Sequence, residues 1–380
     1  MAKSLSCFFL ILFTLMHFAW GCFKYTCKTS EQVFLPETCI YNDNLTDTYY
    51  SRKCSDSKYQ CVPDQTSSYQ FNYSCSLPTP QHYSNNPGEF CKTSDDCSYA
   101  LPCKDGICIG TAKGGECQNS GTCEPGTYCK DNICVPQIKI GESGCTSDYD
   151  CVNNAACNET SYNDPTKNTC YLYKSFKVHD PVAQCYNGKS MLCPYSICWE
   201  DFHNRVFYCT DLFSTVKGQG AECNPDEEDD SCESNPDSFF NPPYITGGNC
   251  QCSLNSQGTA HCSALPGDPA SLQYNKIWTK WIESKDIFKC NTFSRTDSNC
   301  VKTYWSTKDY NAFVYYQTQL TMLNSIIGAE DCVLETMAEN WLEIKNAYDG
   351  HGNNDDDSDG NSDSGAFALE ISILIAVAIY

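Results

Sequence analysis

The chain has 380 residues, 31 of them cysteine, and carries 25 Lys+Arg against 47 Asp+Glu for a net charge of −22. Charge of that sign and size repels phosphate backbones and excludes nucleic acid as a partner. The 41 % hydrophobic content includes those cysteines and 25 tyrosines, and the middle of the chain lacks the aliphatic runs of a large enzyme core.

Residues 1–21 place Lys3 ahead of an apolar stretch from Cys7 to Trp20, with Ala19 and Gly21 at the −3 and −1 positions of a cleavage site before Cys22. This is the layout of a secretory signal peptide. Cleavage removes Cys7 and leaves 31 − 1 = 30 cysteines, an even number suited to complete pairing in an oxidising compartment.

The mature chain opens with a six-cysteine module over 22–86, containing Cys22, Cys27, Cys39, Cys54, Cys61 and Cys75. Residues 87–137 then hold two four-cysteine repeats, Cys91-x5-Cys97-x5-Cys103-x4-Cys108 and Cys117-x5-Cys123-x5-Cys129-x4-Cys134. A third, divergent module over 138–217 keeps Cys145-x5-Cys151-x5-Cys157 and stretches the last gap to Cys170. It also holds Cys185, Cys193, Cys198 and Cys209. A fourth module spans 218–266. Each repeat follows a glycine: Gly88, the Gly114–Gly115 pair, and Gly141 with Gly144. Asp105-Gly106 and Asp131-Asn132 supply tight hairpin turns.

Units of this size cannot fold by burial alone, and a bridge closing about fifteen residues contributes about 3 kcal/mol by restricting the unfolded chain. Four cysteines allow three connectivities. The one taken here joins first to third and second to fourth, giving Cys91–Cys103 and Cys97–Cys108, then Cys117–Cys129 and Cys123–Cys134. Residues 88–137, most clearly GEFCKTSDDCSYALPCKDGICIG, resemble the short cysteine-rich repeats of the Dickkopf N-terminal and EB-module type. The resemblance implies a disulfide knot and extends to a hundred residues if Cys145–Cys170 and Cys223–Cys262 are divergent copies. Nothing matches the receptor-binding second domain of Dickkopf proteins, so antagonism is not carried over. In composition and plan the chain is also similar to cysteine-rich, lipid-anchored surface antigens of ciliates.

Counted by block, the mature cysteines number six, eight, eight, five and three. If blocks pair internally, the two odd ones must share a bridge, which predicts a covalent tie between the 223–262 module and the region holding Cys290, Cys300 and Cys332. That region, 267–349, shows helical apolar spacing at Ile277, Trp278, Trp281 and Ile282, at Phe313, Tyr316, Leu320, Leu323 and Ile327, and at Val333, Met337, Trp341 and Ile344. We read two or three helices with a break at Gly328, their aromatic stripe forming a small core sooner than a ligand groove. The fold class expected is therefore small disulfide-rich modules of short β-hairpins and loops in tandem, followed by a small disulfide-stapled α-helical region.

An acidic Gly/Ser/Asn/Asp linker occupies 350–365, and 366–380 is apolar except for Glu370. Fifteen residues are too few to span a bilayer comfortably, and no basic residue follows. Polar spacer and short terminal tail are the parts of a glycosylphosphatidylinositol attachment signal, with Asn354, Ser358 and Asn361 as attachment candidates. Asp355, Asp357, Asp359, Gly360 and Asp363 fit an EF-hand loop only until its last position, where Ala366 stands in place of a glutamate. A solvated spacer accounts for them better. The acidic run Glu227–Asp230 reads as an exposed loop with room for weak calcium binding.

Chemistry is sparse. No Cys-x2-Cys pair is present for zinc or thiol redox work, and Cys250-x-Cys252 reads as two separate disulfides. The five mature histidines, His82, His179, His203, His261 and His351, lie in no H-E-x-x-H or G-x-S-x-G setting. No catalytic residue, metal site or cofactor is expected. Acceptor sequons at Asn44, Asn72 and Asn158 suggest N-glycosylation. The leading expectation is a non-enzymatic, lipid-anchored surface protein serving as a coat or as an adhesion and recognition module. Its partner would be a protein or glycan at the cell surface, and it would touch the membrane only through the lipid. A secreted ligand or inhibitor of a receptor or protease, and then an extracellular enzyme with a site near Trp278, Trp281 or Trp341, are the alternatives.

Overall fold

The computed structural model describes residues 22–352 apart from 29–37, 44, 47, 57, 64–72, 78–84, 161–163, 186–188, 202–205, 213, 226–231, 236–245 and 249. The signal-peptide segment, the attachment candidates Asn354, Ser358 and Asn361, the aspartates from Asp355 onward, the Glu227–Asp230 run and the tail lie outside the described residues. All 30 cysteines from Cys22 to Cys332 are in fifteen disulfides.

Six four-cysteine units run along the chain. Each joins its first cysteine to its third and its second to its fourth. The first unit has Cys39–Cys61 and Cys54–Cys75. The next two have Cys91–Cys103 with Cys97–Cys108, and Cys117–Cys129 with Cys123–Cys134. Cys145–Cys157 with Cys151–Cys170 make the fourth. Cys185–Cys198 with Cys193–Cys209, and Cys223–Cys250 with Cys232–Cys262, make the last two. In every unit the third and fourth cysteines stand opposite each other in an antiparallel hairpin: Cys61 and Cys75, Cys103 and Cys108, Cys129 and Cys134, Cys157 and Cys170, Cys198 and Cys209, Cys250 and Cys262. The segment over 138–217 therefore holds two units.

Backbone bonding repeats with the sulfur. Gly88, Gly114, Gly141, His179 and Gly220, all at positive φ, donate their N–H groups to the carbonyl of the fourth cysteine of their unit. That cysteine's N–H returns to the residue after each of them. Asp105-Gly106 and Asp131-Asn132 have φ of 53° and 79°, and of 51° and 64°, the both-positive pair a two-residue hairpin turn requires. Inside the second and third units the core is mostly sulfur: Cys91, Cys97 and Cys108 form one buried cluster, and Cys117, Cys123 and Cys134 another.

Successive units are stitched by the chain leaving one and crossing the next. Thr111 donates to Thr122 O and accepts from Glu124 N, and Ile138 does the same with Asp150 O and Val152 N. The passage is tight at Gly110, where a Cβ would lie 2.6 Å from the carbonyl carbon of Cys123.

Five α-helices are present among the described residues: α1 Pro269–Glu283, α2 Ser298–Tyr304, α3 Thr307–Ile326, α4 Asp331–Met337 and α5 Glu339–Gly352. Asp297 Oδ1 caps α2 through Asn299 N, and Ser306 caps α3 through Asp309 N. The break falls at Gly328, with φ of 70°. The last helix runs through Gly352, into the segment read as linker. Helix α3 packs against α1 on one side and α5 on the other. Trp278, Trp281 and Trp341 are buried, Trp281 completely. The aromatic stripe is thus core.

One strap closes the array. Strand β1, Lys24–Cys27, lies parallel to β3, Thr48–Ser51, which also pairs antiparallel with β2, Ile40–Asp43. Cys22, just ahead of β1, is bonded to Cys252 in the sixth unit, and Cys27 at its end to Cys332 in α4. This corrects the expected direct tie between the 223–262 module and the helical region, since Cys290 pairs with Cys300 instead. The six cysteines of the first block are four of a unit plus two that leave it, and an extended strand carries those two to different neighbours. Tyr25 N donates to Asn255 O at 2.8 Å, and Glu330 accepts from Thr26 Oγ1 and Cys27 N at 2.6 and 3.2 Å.

Candidate functional site

The segment between Ile287 and Tyr304, closed by Cys290–Cys300, is rich in polar residues within the region expected to be helical. The structure buries it. Asn291, Thr292 and Ser294 have no exposed surface, and Arg295 is 4 % exposed. The loop lies across the second, third and fourth units, and its polarity is consumed there.

Two asparagines of opposite origin make the seam. Asn291 of the loop donates to Ser120 O at 2.9 Å and Cys123 O at 2.6 Å, and its own oxygen accepts from Phe293 N. Asn153 of the fourth unit donates to Ile287 O at 2.7 Å and Cys290 O at 2.8 Å while accepting from Gln137 Nε2. A side-chain amide offers two donors and an acceptor, and both residues use all three kinds of capacity. Thr292 Oγ1 and Arg295 Nη1 add bonds to Tyr149 O and Asp148 O. In the second unit Tyr304 Oη donates to Gly88 O at 2.6 Å. A Cβ at Gly88 would run into the Lys289 carbonyl oxygen, so glycine is required there for approach as well as for its φ of 93°.

Beneath the seam lies the main apolar cluster. It joins Ala156, Tyr173 and Leu192 of the fourth and fifth units to Trp278, Trp281, Ile287, Val301 and Phe313. Trp281 Nε1 donates to Arg295 O at 2.7 Å. Lys174 binds Asn275 and Thr279 of α1, and burial draws its ammonium down to a pKa of about 8.

Glu89 departs from this satisfaction. It is fully buried beside the seam; Oε2 accepts from Asn86 N at 2.8 Å, and Oε1 has no partner. Burial first, and the Asp297 carboxylate second, raise its pKa to about 8.

On the outer side of the seam three aromatic rings are exposed: Tyr99 at 49 %, Tyr149 at 44 % and Phe293 at 36 %. Phe293 meets Tyr149 edge-on with centroids 4.4 Å apart. Phe293 and Tyr99 flank Gly121, where a Cβ would lie 2.9 Å from Phe293 Cδ2 and 3.2 Å from Tyr99 Cε2.

The eight cysteines named from the repeats are all structural, each bonded in the pairing expected. Asn158 is 7 % exposed, sits in the hairpin opposite Thr169, and accepts from Ala183 N at 2.9 Å. Little of that side chain is left exposed in this packing. Asn44 and Asn72 lie outside the described residues. Among the described residues no helix is long and apolar enough to cross a membrane. Neither a family model, nor a curated protein, nor a solved structure matches this chain.

Proposed function

We propose that this chain is an extracellular surface protein that works by binding, as a coat component or an adhesion and recognition module, and that a C-terminal glycolipid holds it to the membrane. The observation that carries the reading is the complete pairing of the 30 cysteines from Cys22 to Cys332. Such a scaffold forms and persists only where thiols are oxidised. The signal-peptide pattern of 1–21 and the tail pattern of 366–380 agree with export followed by anchoring. The seam, with its buried polar side chains bonded across units, gives the outer face a defined shape for binding.

Treatment of intact expressing cells with phosphatidylinositol-specific phospholipase C tests the anchor. The expected result is release of the protein with a C-terminus ending between Asn354 and Asn361. A protein that stays on the cell with residues 366–380 intact contradicts it.

A further inference from the structure

We infer that Tyr99, Tyr149 and Phe293, arranged around Gly121, form a binding face for a neutral sugar ring. The inference rests on reading the protein as a surface recognition module and names the ligand class of that module.

The first observation is conformational. Tyr99 and Ala100 both have positive φ, 56° and 54°. Two successive non-glycine residues in that region cost free energy, and such strain persists where the surroundings fix it and where function uses it. Elsewhere in the repeats this backbone serves Asp-Gly or Asp-Asn hairpin turns; here it projects a half-exposed phenol. The second observation is the floor. Gly121 and Tyr149 stand at the same place in consecutive units, two residues before the second cysteine. At Gly121 any side chain would fill the space between Phe293 and Tyr99. The rings come from two repeat units and from the Cys290–Cys300 loop, so the face exists only because the seam holds them together.

Charge and hydrogen bonding select the occupant. A net charge of −22 opposes an anion. On the Tyr149 ring a cation's place is already taken, because the buried Arg295 guanidinium lies 5.8 Å from its centroid. A wholly apolar ligand would strand the Tyr99 and Tyr149 hydroxyls, which have no hydrogen-bond partner among the described residues, and covering them unpaired costs free energy. What remains is a neutral group with an apolar face and hydroxyls at its rim. A pyranose offers C–H groups to the electron-rich ring faces and O–H groups to the phenols. An extended peptide lays a carbonyl and N–H at each residue along its path, and two phenol hydroxyls cannot satisfy that series.

The test uses the complete mature protein on an array of immobilised neutral glycans ending in hexose or N-acetylhexosamine, beside acidic glycans and proline-rich peptides. Tyr99→Asn is the informative variant, because asparagine tolerates positive φ and removes the ring without adding strain. Phe293→Ala is the second, with unreduced disulfide mapping to establish its fold. The expected result is binding to at least one neutral glycan, weakened tenfold or more in both variants and little changed between 50 and 500 mM salt. No neutral glycan bound, binding untouched by Tyr99→Asn, or binding confined to acidic glycans or to peptides would each overturn the inference. Anchor release is read separately, so an unanchored protein that still binds sugar contradicts only the anchor.

Discussion

At the scale of single residues, the seam depends on buried polar groups that are bonded to partners across it. Asn153→Ala leaves the carbonyls of Ile287 and Cys290 without donors, each orphaned group costing about 1–3 kcal/mol. We expect a loss of about 2–4 kcal/mol in denaturant unfolding and early proteolysis within 287–304; an unchanged midpoint would contradict the seam. Glu89 acts with the opposite sign to most carboxylates. Its pKa is raised from 4.5 to about 8, so the folded chain holds the proton more tightly than the unfolded one. That contribution is fully present below about pH 4.5 and is lost as pH rises towards about 8. Glu89→Gln keeps the size and removes the titration. Its melting temperature should exceed that of the parent by a margin that widens from pH 5 to pH 8, and parallel curves would contradict the assignment. Asn158, buried with its oxygen engaged, should be recovered unglycosylated in glycopeptide mass spectrometry; a sugar-bearing Asn158 peptide would contradict the packing of the fourth unit's hairpin.

At the scale of elements, the strap of β1 is the clearest unit to perturb. Replacing Cys27 and Cys332 by serine releases one end of β1 from α4, with an expected cost of about 2–4 kcal/mol. Amide exchange should accelerate across Lys24–Cys27 and Thr48–Ser51 while the hairpins of the second and third units keep their protection. Uniform acceleration in all units would mean that the strap is no local clasp. The second and third units were legible because their gaps are equal and short. The first and fifth were not, and the sixth only as a divergent copy, for a physical reason: doubling a loop between cysteines costs only about 0.6 kcal/mol, so insertions erase the spacing while the bridges and the hairpin survive. The strap was missed because its cysteines sit in a block whose even count looked self-sufficient. The seam was missed because Asn291, Thr292, Ser294 and Arg295 have the composition of a solvated loop, and only the units folded beneath them make those residues interior. One signal was available, a polar run enclosed between Cys290 and Cys300 in the middle of an otherwise helical region. Two or three helices were expected where five occur among the described residues, since α2 and α4 have seven residues each, too short to show a clear period.

At the scale of the molecule, two ways of holding a chain together are joined. Sulfur fixes each small unit, where burial could not, and the helices supply most of a sizeable apolar core. The Cys290–Cys300 loop lies between them, its polar side chains turned into connectors and its outer edge contributing Phe293 to an exposed aromatic face. The central claim is that one disulfide unit recurs six times and that the strap alone carries covalent links from the first block to distant neighbours. Peptide mapping of the unreduced mature protein by mass spectrometry tests this most directly. The account predicts twelve bridges in the first-to-third and second-to-fourth pattern, plus Cys22–Cys252, Cys27–Cys332 and Cys290–Cys300. Bridges running between units, a bond from the 223–262 module to Cys290, Cys300 or Cys332, or several free thiols would contradict it.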